Sequence, residues 1–360
     1  MTAGGGPVAA RDPYGRRRLY LSAQGRAWAS SLAALALRPA AFDPWGVLGF
    51  LARRCPPRRS WLRGAEMVPP GWEVCQRAAV FAARPRAEAE PGATQDSLEV
   101  ALAAALAAQL ADAKKAGRRV ALALSGGLDS AALLSLLARG GGELPPLYLL
   151  VTDLAGYCER REALATAAIF ACPVREVQAS PADFVAALPA ALRAAEAPFY
   201  NLHLVGSLLL ARALRRDGVD AVITGHSADQ VLALASARAT SNFLPWVDAL
   251  FAAEGVELLL PFLDQRVLAA ARSAGADPHK EGLRRILQGI LPAAAVNAAK
   301  VPRLTPAFAL ASLAPAGRIP RLFAHLPFLR NKLPEGAAAE LLLLSFALLG
   351  EIFGIFEPWA

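Results

Sequence analysis

The chain has 360 residues, 55% hydrophobic and 19% charged. That balance excludes a mainly disordered chain and leaves room for two domains, or one large domain with an appendage. The net charge of +8 permits an acidic partner but names none. Arginine supplies most of it, since Lys114, Lys115, Lys280, Lys300 and Lys332 are all the lysines. This Ala-rich, Arg-over-Lys usage is that of a GC-rich genome. The clusters Arg16-Arg17-Arg18 and Arg53-Arg54 with Arg58-Arg59 read as solvated faces. No aromatic stacking pattern accompanies them, so no nucleic-acid partner is expected. Cys55, Cys75, Cys158 and Cys172 make neither a disulfide framework nor a zinc spacing. No apolar signal segment lies within Met1 to Pro13. In the most apolar stretch, Ala337 to Phe356, Glu340 and Glu351 leave ten uncharged residues between them, too few to span a bilayer. A buried C-terminal helix and a reducing, cytoplasmic location are the expectations.

In chain order, residues 1–83 combine Arg, Pro and Trp with short apolar runs. A strand over Arg18 to Ala23 and helices over Trp28 to Leu37 and Pro44 to Arg53 are predicted. Arg84 to Ser97 reads as a linker. Asp96 or Ser97 then caps a helix over Leu98 to Ala113. From there strands alternate with helices. Strands are predicted at Arg119 to Leu124, Leu147 to Val151, Val174 to Val177 and Ala221 to Thr224. Helices are predicted at Ala131 to Arg139, Glu159 to Phe170, Pro181 to Ala194 and Leu202 to Arg215. This alternation implies βαβ units and a parallel sheet with helices on both faces. Beyond Asp229 the chain reads as all-helical.

The segment that carries chemistry is Ser125-Gly126-Gly127-Leu128-Asp129-Ser130, between a buried strand and a helix start. Unsatisfied N–H groups at a helix N-terminus favour an anion. Two glycines let backbone approach a phosphate closely. Asp129 would repel phosphate unless it holds Mg²⁺, which bridges to phosphate oxygens. An ordinary turn capped by Asp or Ser uses the same residue types. The GxxxxGK[ST] and GxGxxG patterns are both absent.

SGGLDS resembles the PP-loop of the ATP pyrophosphatase superfamily, and within it the chain resembles the asparagine synthetase family. Thr224-Gly225-His226-Ser227-Ala228-Asp229-Gln230 is similar to that family's second magnesium motif. Leu260-Pro261-Phe262-Leu263-Asp264 is similar to V-P-F-L-D, Lys280-Glu281-Gly282-Leu283-Arg284 to K-x-x-L-R, and Leu291-Pro292 with Lys300 to L-P…K. The resemblance implies an adenine nucleotide alpha hydrolase-like α/β fold at residues 98–360, ending in a helical region. It implies ATP and Mg²⁺ as cofactors. Ser125, Gly126, Gly127 and Ser130 would bind the β/γ-phosphates, and Asp129 and Asp229 the metal. Leu124, Val151, Thr224 and Gly225 would line the adenosine pocket. Lys300 would stabilise the reacting centre, or is otherwise a surface lysine.

Two departures matter. His226 stands where the family carries a glutamate, and is either a base for an amine nucleophile or a spacer. Residues 1–83 resemble only the second half of the family's α+β glutaminase domain, through Arg11-Asp12-Pro13-Tyr14-Gly15, Leu19-Tyr20, Ala29-Ser30-Ser31, Arg63-Gly64 and Pro69-Pro70-Gly71. The N-terminal cysteine is missing. Either a partner protein covers the exposed strand edges, or the natural start lies upstream. The resemblance therefore implies an AMP-forming carbon–nitrogen ligase acting on a small-molecule or peptide carboxylate, without glutaminase activity of its own. Similar sequences include lasso-peptide macrolactam synthetases, which imply a peptide precursor, and β-lactam synthetases. A tRNA-modifying PP-loop enzyme and a non-catalytic nucleotide-binding scaffold are the other readings.

Overall fold

The computed structural model describes residues 6–52, 59–86, 92, 94–154, 157–234, 243–297, 318–331 and 337–357. The first part holds β1 (Pro7–Ala10), β2 (Tyr20–Ser22), β3 (Trp28–Ala29), α1 (Pro44–Leu51), β4 (Ala65–Met67), β5 (Trp72–Arg77) and β6 (Val80–Pro85). These strands form two antiparallel sheets, ordered β1-β5-β6 and β3-β2-β4. Leu19, Leu21, Val68 and Val74 close a small core between them. Helix α1 begins as its sequence dictates, with Pro44 in its first turn and the Asp43 carboxylate accepting from the Gly46 N–H at 2.8 Å.

The helix predicted over Trp28 to Leu37 does not form. Trp28 and Ala29 pair with β2, and only Ala33–Leu35 makes a short 3-10 turn. The cause is tertiary. The Glu196 carboxylate, far along the chain, accepts from the N–H groups of Leu32 (2.7 Å) and Ala33 (3.0 Å) and fixes that turn. The solvated-face reading of Arg16-Arg17-Arg18 fails for two of the three residues. Arg16 pairs with Asp248 at 2.7 Å and donates to the Leu258 carbonyl. Arg18 pairs with Glu196 at 3.3 Å and donates to the carbonyls of Ala194 and Ala195. Arg53, Arg54 and Arg58 lie outside the described residues.

The main unit opens with α2 (Leu98–Lys115), which Ser97 caps by accepting from the Val100 N–H. It continues through β7 (Val120–Ala123), α3 (Leu128–Arg139), β8 (Leu147–Thr152), α4 (Arg160–Ile169), β9 (Val174–Ala179), α5 (Pro181–Ala195), α6 (His203–Arg216) and β10 (Ala221–Ile223). Then follow α7 (Ala228–Leu234), α8 (Leu244–Ala253), β11 (Glu257–Leu259), α9 (Gln265–Ala274), α10 (Glu281–Leu287), α11 (Ala293–Val296), α12 (Arg318–His325) and α13 (Ala337–Ile352). The sheet is parallel throughout, in the order β11-β10-β7-β8-β9. Leu122, Val222 and Ile223 are fully buried, as strands covered on both faces require.

The chain runs outward from β7 to β9, then crosses back to lay β10 on the other side of β7. Right-handed crossovers put the helices of these two excursions on opposite faces. Accordingly α2 packs with α3, α9 and α10, while α5, α6 and α8 pack with one another. The strand order reverses between β7 and β10, the place where open α/β sheets bind ligands.

One correction concerns the region beyond Asp229, which is not all-helical. Glu257–Leu259 is a fifth strand, paired in register with Ala221–Ile223. Its leucines carry no β-branched signal, and pairing with β10 overrides their propensity. The C-terminal apolar stretch folds as α13, with Leu341, Phe346, Ala347 and Leu349 fully buried. No helix among the described residues is long and apolar enough to cross a membrane.

Candidate functional site

Strand β7 runs into Leu124, whose N–H donates to the Tyr148 carbonyl at 2.8 Å, so the sheet continues to the edge of the glycine loop. Gly127 is the N-cap residue of α3, and no side chain caps that helix. The loop is braced from within by its two serines. Ser130 Oγ accepts from the Ser125 N–H at 3.0 Å and lies 3.0 Å from Ser125 Oγ, which in turn accepts from the Gly127 N–H at 3.3 Å. Ser130 is buried, so its hydroxyl shapes the loop. The Gly126 N–H donates to the Glu159 carboxylate at 3.1 Å, so this loop already holds an anionic oxygen. A Cβ on Gly126 would stand 2.8 Å from the Cβ atoms of Glu159 and Glu162, which explains the residue.

Across the switch point, β10 leads to Thr224, whose N–H donates to the Leu259 carbonyl at 3.1 Å. Gly225 follows and lies directly against the start of α3. A Cβ there would be 2.8 Å from Asp129 Cβ and 3.3 Å from the Ser130 nitrogen. Asp129 and Asp229 occupy the first turns of α3 and α7. Both turn to one cation. Lys280 Nζ is 2.5 Å from Asp129 Oδ1 and 2.7 Å from Asp229 Oδ1. Burial alone would favour the neutral amine, but Asp129, with Asp229, outweighs it and holds the ammonium above the usual lysine range. The lysine is a stand-in ion showing that the two carboxylates converge on a single positive charge. Two carboxylates converging on one cation are a hard-oxygen donor set of the kind that suits Mg²⁺. Among the described residues no group of three or more His, Cys, Asp or Glu forms a closed metal cage.

His226 stands in the loop between β10 and α7, directly after Gly225. Its Nδ1 is 2.9 Å from Thr224 Oγ1, and its Nε2 is 3.4 Å from Nε2 of His203, the first residue of α6. Leu124, Val151 and Thr224 are buried at the C-terminal ends of β7, β8 and β10. The structure thus brings together Leu124, Ser125, Gly126, Gly127, Asp129, Ser130, Thr224, Gly225, His226 and Asp229, with Val151 on the adjacent strand. Lys300 lies outside the described residues. Two residues of the cluster went unassigned in the sequence. Lys280 was visible in the K-x-x-L-R segment but had no role, and His203 carries no sequence signal at all.

The asparagine synthase family model matches residues 101–240, the stretch from α2 to just beyond α7. No curated protein sequence matches the chain. Among solved structures, NMN synthetase from Francisella tularensis is similar at 15% identity, covering 74% of this chain and 99% of its own, with a TM-score of 0.35. NAD+ synthetase from Burkholderia pseudomallei is similar at 19% identity, covering 70% and 88%, with a TM-score of 0.28. Likeness at that level says nothing of what this chain acts on.

Proposed function

We propose that the chain is an ATP-dependent ligase that activates a carboxylate as an acyl-adenylate, releases pyrophosphate, and passes the acyl group to a nitrogen nucleophile. The observation that carries this reading is the convergence of Asp129 and Asp229 on one cation beside a glycine loop. They stand on either side of the strand-order switch, within the segment that matches the asparagine synthase family. We divide the chain into a glutaminase-like segment at 1–83, a linker at 84–97 whose first two residues, Arg84 and Pro85, complete strand β6, and a synthetase-like unit at 98–360.

In this reading the substrate carboxylate oxygen attacks the α-phosphorus of ATP, and the bond to the bridging oxygen of pyrophosphate breaks. The leaving phosphates would be held at the loop of Ser125, Gly126, Gly127 and Ser130, taking the Gly126 N–H over from the Glu159 carboxylate and the other N–H groups over from the serine hydroxyls, and Asp129 and Asp229 would hold Mg²⁺. The metal, when bound, neutralises charge on the phosphate oxygens. Leu124, Val151, Thr224 and Gly225 seat the adenosine. The nitrogen then attacks the acyl carbon and AMP leaves. His226, held by Thr224 on one side and His203 on the other, takes the proton the nitrogen sheds. Lys300 is assigned to the departing phosphate on the family resemblance alone. Glutamine hydrolysis is not part of the proposal. Cys75 is buried in β5, and Cys158 and Cys172 flank α4.

The test is incubation with Mg-ATP, aspartate and ammonium, separating AMP from ADP, beside calorimetric titration of Mg-ATP. The natural chain is expected to bind Mg-ATP, and Asp129→Ala to lose about tenfold or more in affinity, together with any AMP formed. Equal Mg-ATP affinity in the two proteins would overturn the site assignment.

A further inference from the structure

We propose that Lys280 is an exchangeable counter-ion that keeps the Asp129–Asp229 pair closed to free Mg²⁺ until nucleotide arrives. The proposal rests on the reading of those aspartates as the metal-holding pair, and it adds an order of events to that reading.

The contacts come first. Both Lys280 distances, 2.5 Å and 2.7 Å, are those of charge-assisted hydrogen bonds. The Lys280 side chain is only 12% exposed and that of Asp129 19%, so little water screens that pair, while Asp229, at 45%, stays open to solvent. A free divalent ion must displace a lysine that already neutralises one of the two carboxylates.

The backbone beneath the lysine is built to aim it. Lys280 has φ 57° and ψ 39°, a left-handed conformation that side-chain-bearing residues seldom adopt. The Asp277 turn imposes it. The Lys280 N–H donates to the Asp277 carbonyl, while the Asp277 carboxylate caps α10 through the N–H groups of Glu281 and Gly282, each at 2.8 Å. The Asp277 N–H in turn donates to the Leu232 carbonyl at 2.7 Å, on the helix that carries Asp229. Lysine and aspartate are therefore fixed to one frame.

The neighbouring loop supplies the release. The Gly126 N–H already holds a carboxylate oxygen of Glu159. A triphosphate entering that loop brings anionic oxygens close to the ammonium, whose flexible four-carbon stem can turn toward them without moving the backbone. Mg-ATP thus carries a replacement cation for the aspartates and a replacement anion for the lysine. Free Mg²⁺ carries only the first. Mg²⁺ and nucleotide must therefore favour each other's binding, reciprocally and through this residue.

The experiment is calorimetric titration of Mg²⁺ into the full chain, with and without α,β-methylene ATP, repeated for Lys280→Met and Asp129→Asn. In the natural chain, Mg²⁺ affinity is expected to rise at least about tenfold when the analogue is present. In Lys280→Met, Mg²⁺ alone is expected to bind at least about tenfold more tightly than to the natural chain, and the gain on adding the analogue is expected to shrink by about the same factor, leaving only the metal's own contact with the analogue's phosphates. Mg²⁺ binding to the natural chain that is equally tight with and without the analogue would overturn the proposal, and this arm needs no variant to fold. Mg²⁺ binding to Asp129→Asn as tight as to the natural chain, with the analogue present, would instead overturn the metal assignment beneath it.

Discussion

Gly225 leaves no space for a side chain. The methyl of an alanine there would stand 2.8 Å from Asp129 Cβ, closer than van der Waals contact allows, and 3.3 Å from the backbone nitrogen of Ser130. The neighbour at risk is a carboxylate-bearing residue whose place depends on its helix start, so the strain falls on the position of Asp129. Overpacking of this kind costs about 1–3 kcal/mol. Spent on the placement of Asp129, that is about fivefold to 150-fold in affinity. Gly225→Ala is therefore expected to weaken Mg-ATP binding by that factor in a calorimetric titration, with an unchanged far-UV circular dichroism spectrum. Unaltered affinity would mean that Asp129 does not contact the bound ligand. The serines of the loop bond to each other and to its backbone. Ser130 Oγ spends its hydrogen bonds on Ser125 and on the loop carbonyls, so it shapes the anion loop from behind.

At the scale of elements, the short helix α10 owes its start to one residue. The Asp277 carboxylate accepts from two of its first N–H groups, and its own N–H fastens the turn to α7. Asp277→Ala removes the cap and is expected to cost about 1 kcal/mol in a urea titration. Asp277→Asn keeps a side-chain oxygen acceptor and is expected to restore most of it. If both variants lose the same amount, charge rather than capping holds the turn. The same element shows what a sequence discloses. The β7–loop–α3 unit was legible, because an apolar run, two glycines and a capping pattern all lie within one short stretch. The five residues of β11 and β3 together were not legible. Leucine propensity misdirected β11, and β3 with its following turn answers to Glu196, outside any local window. The candidate site divides in the same way. Asp129 and Asp229 stand in contiguous motifs, whereas Lys280 meets Asp129 across 151 positions and His203 meets His226 across 23. Spacing and periodicity carry no signal for such pairs.

At the scale of the whole molecule, the antiparallel sheets and the parallel-sheet unit are joined at the end of α5. Glu196 sits there in a left-handed conformation, 5% exposed. Its carboxylate takes the N–H groups of Leu32 and Ala33 and the charge of Arg18, and its carbonyl accepts from Trp61 Nε1 at 2.8 Å. All four donors come from residues 18–61, so Glu196 ties the first part of the chain to the second beside a shared hydrophobic core, in which Phe42, Phe50 and Trp61 pack on Phe346, Trp246 and Phe353. Arg16 adds a separate tie to Asp248 and Leu258. Replacing Glu196 by alanine leaves the Arg18 guanidinium, itself 11% exposed, without its carboxylate and strands two N–H groups. Breaking one side of a buried pair costs about 3–5 kcal/mol, more than the Arg16 tie, with Asp248 only partly buried, can offset. Glu196→Ala is therefore expected to lower the unfolding free energy by that amount in a urea titration, within a single transition, because the shared core couples the two parts. The double variant Arg18→Met/Glu196→Met is expected to lose less than Glu196→Ala alone, because no charge is left unpaired. None of these groups touches the Asp129–Lys280–Asp229 cluster, so without urea the Mg-ATP affinity of the variant should match that of the natural chain. A lower affinity in the folded variant would instead make the antiparallel sheets part of the binding site.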